Sequence, residues 1–387
     1  MKPDTQNEPA QTELPIEAIS AAMEVHMHKE TDDNGRTLFG YTHEVAEIVR
    51  LSRVESALRT FAKSKGSMCA FHPQAARKPA HLTMDPPLIC IRDAARNHLD
   101  SCDEVFPLHR LPPRYQALTE VVDRYTEWDF VQLRKLGRED EDALRRLYSR
   151  TQRFEHELRA ALKAPELILI ENSLSRKVNA NYQAGSSLIQ ACLDCRSRVD
   201  SVRVDLYFRK GSAMRYADRT PEDQEAKAQQ VMNQRNQLLK RMRMKYGREL
   251  LGYLCKVEYG EDQGFHLHTW FLLDGHRHQE TISIANYIAS LWTTITFGEG
   301  HHFDPGKSDR YAHRGIGMLH ADDPNIWAGI HFILRYFTKV DEFIEMGLSN
   351  GKPAFTRSRL PKPSKRRGPP RSRPAAVNPY LNRRGDK

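Results

Sequence analysis

Two histidines one residue apart, His266 and His268, are the side chains in this sequence whose type and spacing most directly suggest chemistry. They lie in Gly264-Phe265-His266-Leu267-His268-Thr269-Trp270-Phe271-Leu272-Leu273, an aromatic and apolar run preceded by turn-prone residues, and such a run is expected to form a strand. On a strand both imidazoles point to one side, where they form a pair of metal ligands. Leu267, Phe271 and Leu273 point to the other side, the expected core. Leu250 to Tyr259 has strand character too, and Gly260 to Gly264 makes a short hairpin loop. That loop length pairs Tyr259 with Phe265, Glu258 with His266 and Lys256 with His268, and cross-strand partners share a face. One carboxylate and two imidazoles leave positions open for water and a phosphate oxygen, as a catalytic divalent site requires. Glu261 and Asp262 are the fallback carboxylates, and a plain ion pair with a lysine is the alternative use of Glu258.

A second group follows in Tyr336-Phe337-Thr338-Lys339. A helix is expected there, capped by Asp323, opened by Pro324 and running from Ile326 to about Met346, before Gly347. Tyr336 and Lys339 share a helical face, with His331 and Arg335 close to it. A neighbouring cation lowers the pKa of a phenol, normally ~10. Cys192 and Cys195 form a lone Cys-x-x-Cys without a second pair, so two unliganded thiols are expected. His301, His302, Asp304 and His313 are expected in a loop, as reserve ligands at most.

The elements that must position these groups follow from periodicity. Val202, Val204, Leu206 and Phe208 alternate with Arg203, Asp205, Tyr207 and Arg209, which gives a strand with one apolar face. A helix is expected from the cap Thr220 and Pro221, through Val231, Leu238, Leu239, Met242 and Tyr246, to the stop Gly247. Residues 279–297 make another. Leu167-Ile168-Leu169-Ile170 is either a short strand or a helix end. Upstream, residues 42–65 carry a helical pattern, prolines break up 66–115, and helices are expected near 113–136 and 139–163. The fold class is α+β: a central antiparallel sheet with flanking helices, preceded by a mostly helical N-terminal region. The expected divisions are a disordered tail over 1–35, a helical accessory region over 36–165, a catalytic domain over 166–350 and a basic disordered tail over 351–387.

Among its 387 residues the chain has 59 Lys and Arg against 50 Asp and Glu, which favours a polyanionic partner. The basic tail adds sequence-independent attraction to phosphates. Six scattered cysteines form no dense framework, as in a reducing cytosol, and no apolar run is long enough to span a bilayer. A soluble cytoplasmic protein without a membrane partner is expected.

Taken in order, His266-Leu267-His268 on a strand and Tyr336-Phe337-Thr338-Lys339 on a later helix resemble the HUH endonucleases of rolling-circle replication. Histidines before tyrosine look like the replication-initiator branch. The wording Lys256-Val257-Glu258-Tyr259-Gly260 through His268 is similar to the inovirus gene II protein family, also called the YagK/YfjJ C-terminal domain family, over about residues 198–345. The resemblance implies a phage, prophage or plasmid replication initiator in a bacterial cytoplasm. It implies Mg2+ or Mn2+ as cofactor, and single-stranded or origin hairpin DNA, with host replication proteins, as partners. Tyr336 would be the single nucleophile, assisted by Lys339, forming a 5′-phosphotyrosine and freeing a 3′ hydroxyl. A non-catalytic DNA-binding prophage regulator on the same fold, and a hydrolase that activates water, are the alternatives.

Overall fold

Helical periodicity in the N-terminal half becomes α1 (His43–Lys63), α2 (Pro86–Asn97), α3 (Pro113–Val122), α4 (Glu141–Leu162) and α5 (Pro165–Cys195), and β1 (Cys69–His72) pairs with β2 (His81–Met84) between α1 and α2. The computed structural model describes residues 28–31, 37–40, 43–75, 78–97, 108–125, 141–214, 220–260, 264–307, 315–339, 345–346, 353–362 and 373–380. The chain divides into two compact units, one holding Gly40–Arg176, the other Lys177–Asp341 and Glu345–Lys387.

In the first unit Leu51, Leu58, Phe61, Ile91, Leu118, Phe154 and Leu158 form the core. Buried Glu155 accepts the Met68 amide and the Ser67 hydroxyl at 3.1 and 3.2 Å, which ties α4 to the start of β1. Pro86 and Pro87 open α2 rather than break structure, because a proline in the first helical turn gives up only an amide that has no partner there. Leu167-Ile168-Leu169-Ile170 lies in α5, and Leu167 packs into this core. The boundary therefore falls at 176/177 instead of 165/166. The helix expected near 113–136 ends at Val122, and residues 126–140, which hold the rest of that expectation and the start of the helix expected near 139–163, lie outside the described residues.

The second unit is built on three eleven-residue strands, β3 (Arg198–Phe208), β4 (Leu250–Gly260) and β5 (Gly264–Asp274). Three short strands complete an antiparallel six-stranded sheet: β6 (Gly300–Phe303), β7 (Gly317–His320) and β8 (Phe355–Arg357). The order is β7-β3-β5-β4-β8, with β6 beside the other end of β3. Helices α6 (Pro221–Tyr246) and α7 (Thr281–Ile295) serve one face, where Arg243 lies over the Tyr253 ring and Trp292 meets Phe208 edge-on. The Thr220 hydroxyl caps α6 and Gly247, at φ +51°, ends it. On the other face α5 and α8 (Ile326–Lys339) bury Trp270, Leu272, Val199 and Leu254 among Leu188, Leu193, Trp327, Ile330 and Phe337.

Several expectations change here. The polar face of β3 is not solvent-facing: Arg203 and Asp205 are both buried, because α8 covers them and they pair with each other at 3.1 Å. His301 and His302 lie on β6, not in a loop, and His313 is outside the described residues. α8 is described to Lys339, and Glu345–Met346 is a short strand rather than a helix end. His28–Thr31 pairs with Thr37–Gly40, so the tail expected over 1–35 contains strand. The C-terminal stretch expected to be disordered supplies β8 on β4. Its Ala375, Ala376 and Tyr380 also pack on the sheet core, so backbone pairing and a few apolar contacts outweigh the Pro- and Arg-rich composition there. Cys192 and Cys195 lie on α5 and are not joined in a disulfide, and burial pushes the Cys192 thiol up. Among the described residues no helix is long and apolar enough to cross a membrane.

The seat of α8 depends on a bare backbone contact. A Cβ on Gly315 would lie 2.7 Å from the Gly329 carbonyl carbon of α8. Ser201 donates to the Gly315 carbonyl at 2.6 Å while accepting the Trp270 indole N–H at 2.7 Å, which fixes that approach from the sheet side. Gly315→Ala is expected to destabilise the chain by about 1–3 kcal/mol through overpacking, read as a lower urea midpoint at unchanged slope.

Candidate metal centre

The hairpin register is the one its loop length predicts: Glu258 opposes His266 and Lys256 opposes His268. On the other side of β5, Asp205 of β3 opposes His268. Six polar side chains from three strands therefore share one patch of the helix-covered face: Arg203, Asp205, Lys256, Glu258, His266 and His268.

Each ligand atom is aimed by a neighbour. The His266 Nδ1–H donates to the Gly264 carbonyl at 3.0 Å, which leaves Nε2 as the lone pair. That Nε2 is buried, makes no hydrogen bond and stands 3.5 Å from Glu258 Oε2. His268 Nδ1 stands 2.8 Å from Asp205 Oδ1, and its Nε2 3.0 Å from Glu258 Oε2. The Lys256 ammonium sits 2.7 Å from Glu258 Oε1 and leaves Oε2 to the histidines. Ligand atoms of Glu258, His266 and His268 lie within 4.8 Å of one another. These residues fit a divalent cation: three ligand side chains converge, and the unpaired His266 nitrogen is the kind of buried atom that a cation would satisfy. The fallback carboxylates Glu261 and Asp262 lie outside the described residues.

The site is nearly dry. His266 and His268 are buried, and Glu258, with 18% of its side chain exposed, forms the rim. Burial by itself raises a carboxyl, but the Lys256 ammonium and His268 hold Glu258 well below the usual range. Burial acts the same way on Asp205, and Arg203 and His268 overcome it to give about 2. Burial would lower His268, yet Asp205 and Glu258 on its two sides lift it to about 9.

Tyr336 completes the cluster from α8. Its hydroxyl lies 3.0 Å from His268 Nε2, its ring meets the imidazole edge-on at 4.8 Å, and the residue is 4% exposed. Burial, then the Glu258 and Asp205 charges, push this phenol well above 10, while Arg203 acts in the opposite direction. The cation described at the ring is Arg203, its guanidinium 4.7 Å from the centroid. Lys339 ends α8, and its side chain lies outside the described residues.

Sequence reasoning brought Glu258, His266, His268 and Tyr336 into consideration, and the fold assembles them. It missed the roles of Asp205, Arg203 and Tyr207. The alternation of β3 already set these three on one side. What was missing is that β3 pairs with β5 in a register that sets Asp205 against His268 and stacks the Tyr207 ring on His266 at 5.4 Å.

Fold and site together define an α+β protein with a candidate metal centre on a buried sheet face. Comparisons with protein-family models, curated proteins and solved structures return no match.

Two measurements check the centre. Metal-free His268 keeps both ring protons up to about pH 9, so a cation must displace the one on Nε2. Mn2+ affinity should therefore rise with pH and level off above that value. Calorimetry in buffers of different ionisation heat should show proton release near neutral pH. Asp205→Asn, which removes the partner of Nδ1, should weaken Mn2+ binding about 10- to 100-fold.

Proposed function

We propose that the chain is a metal-assisted DNA-nicking enzyme of the rolling-circle initiator type, with Tyr336 as its nucleophile. The single observation that carries this reading is the Tyr336 hydroxyl 3.0 Å from His268 Nε2, beside the Glu258/His266/His268 cluster. The two motifs that prompted the resemblance are some seventy positions apart, and His268 of the first touches Tyr336 of the second. The antiparallel sheet with its histidines on a central strand supports the same reading.

A divalent cation held by Glu258, His266 and His268 would hold a non-bridging oxygen of the scissile phosphate and offset the charge that develops there. Two imidazoles with one carboxylate suit Mn2+ at least as well as the harder Mg2+. The chain's own residues do the rest. The Tyr336 oxygen attacks in line: its bond to phosphorus forms, the phosphorus–O3′ bond breaks, and the proton lost by the phenol is balanced by the one the 3′ oxygen takes up. Arg203, stacked on the ring, favours the phenolate. Lys256 keeps Glu258 Oε2 turned to the histidines. The dry surroundings limit hydrolysis of the phosphotyrosine. Single-stranded DNA is the substrate class, because a flexible strand can bend toward ligands that are buried except for the rim carboxylate of Glu258.

Incubation of the full chain with single-stranded origin DNA and Mn2+ should give a protein–DNA adduct that survives SDS. Tyr336→Phe should abolish it, and Glu258→Gln should reduce it at least tenfold. An adduct that persists in Tyr336→Phe refutes the nucleophile. Cleavage without any adduct favours activated water, and tight binding without cleavage at any divalent ion leaves the sheet as a DNA-binding scaffold.

A further inference from the structure

The register fixes what lies beside the candidate metal centre. Across four strands Lys256, His268, Asp205 and Phe303 form one row, because Lys256 opposes His268, His268 opposes Asp205 and Asp205 opposes Phe303. Glu258, His266, Tyr207 and His301 form the next row, joined by the Glu258–His266 and Tyr207–His301 pairings and the Tyr207–His266 stack. Directly opposed residues on antiparallel strands share a face, so Phe303 and His301 of β6 lie on the same face as the metal cluster. They stand two strand spacings, about 10 Å, from its histidines.

Burial changes sharply along the first row. Lys256, His268 and Asp205 are buried to within a few per cent, whereas Phe303 is 43% exposed. His301 is exposed as well. The turn that leads into β6 exposes another ring: Phe297 is 94% exposed and holds φ at +53°. A bulky residue in that region costs of order 1–3 kcal/mol and tends to persist where function requires it. Arg209 and Lys210, both exposed, follow the end of β3, and the Arg209 amide donates to the Glu299 carbonyl of the same turn at 2.8 Å. Two exposed cations thus follow the end of β3, which pairs with the strand that carries Phe303 and His301. Single exposed apolar residues are ordinary on protein surfaces; here Phe303 lies on the metal-bearing face, beside an exposed histidine on the same strand and one strand away from the end of β3 with its two exposed cations.

We infer that β6 is a base-stacking platform for single-stranded DNA, on which Phe303, with His301 beside it, holds the nucleobases that flank the scissile phosphate. Aromatic rings stack on any base, and adjacent cations track the phosphates. This rests on the nicking reading and adds to it the place where the substrate is gripped. The platform lets the strand be held by rings outside the dry pocket, so that only one phosphate has to enter.

The test uses the full chain carrying Tyr336→Phe, which binds without turnover, and fluorescence anisotropy with labelled oligodeoxythymidylate. Adding Phe303→Ala should weaken binding about 5- to 150-fold, the range for loss of one base–aromatic stack. Phe303→Trp should restore it, and Phe303→Leu, which keeps bulk without a ring, should not. An oligonucleotide of the same length carrying abasic sites should bind equally weakly whether or not the chain carries Phe303→Ala. Unchanged affinity in Phe303→Ala, or an equal loss on the abasic strand, overturns the platform alone and leaves the nicking reading intact if the wild-type chain still forms its adduct. Absence of binding to single-stranded DNA by the parent chain overturns both.

Discussion

The structure depends on the mutual neutralisation of charges on one buried sheet face. Removing two carboxylates from water costs several kcal/mol each unless they are paired. Asp205 and Glu258 meet that condition together with Arg203, Lys256 and His268, all within contact distances of 2.7–3.1 Å. The arrangement needs all three long strands, since β3 supplies Arg203 and Asp205, β4 supplies Lys256 and Glu258, and β5 supplies His268. A slip of one residue in either pairing would turn one strand's polar groups into the apolar layer under α6 and α7. The polar patch therefore helps to specify the register that creates it. It is also unevenly charged: Arg203, Lys256 and protonated His268 outweigh the two carboxylates by one. Exchanging the His268 proton for a divalent cation would make the cluster more positive still, which would suit the phosphodiester anion of the proposed reaction.

What the sequence revealed, and what it did not, follows from how local each constraint is. The hairpin of β4 and β5 was legible to the residue because a short loop between two alternating runs allows one register, and the cross-strand pairs Glu258–His266 and Lys256–His268 follow from counting. The caps of α6 were legible for the same reason: Thr220, Pro221 and Gly247 act within a turn of themselves. The pairing of β3 with β5 was not, because more than fifty residues separate them and nothing local sets their register. With it were lost Asp205, the Arg203 contact with Tyr336, and the burial of the β3 polar face. β8 was hidden for another reason. Phe355-Thr356-Arg357 sits in a stretch whose Pro, Arg and Lys content argues against order, yet three residues bonded along β4 need little side-chain help.

The same contrast applies to the tyrosine. Its helix could be predicted, but its environment could not. α8 is held at its N-terminal half by the C-terminal segment: the Trp327 indole donates to the Ala376 carbonyl at 3.1 Å, and the Tyr380 ring stacks on His331 at 4.0 Å. His331 is bonded in turn to the Tyr182 hydroxyl of α5 at 2.5 Å. Tyr336 lies between this anchored half and the end of the described helix at Lys339, which places its hydroxyl in the cluster and not at the surface. A stretch that composition marks as a solvated tail thus helps to position a residue more than forty positions upstream.

Dryness favours the proposed chemistry in one respect and obstructs it in another. Coulombic contacts gain strength as water leaves, so a cation held by the carboxylate that Lys256 aims and the imidazole that Asp205 aims would attract a phosphate far more strongly than it would at the surface. The same burial, with the charges of Glu258 and Asp205 close by, holds the Tyr336 phenol well above 10, which opposes its ionisation. Both carboxylates act on the phenol through their charge, so a cation bound to Glu258 relieves part of the opposition without exposing the ring. In the proposed reaction, bringing in the cation and making the tyrosine reactive would then be one electrostatic event. In the metal-free chain the hydroxyl lies 3.0 Å from His268 Nε2, close to the cluster.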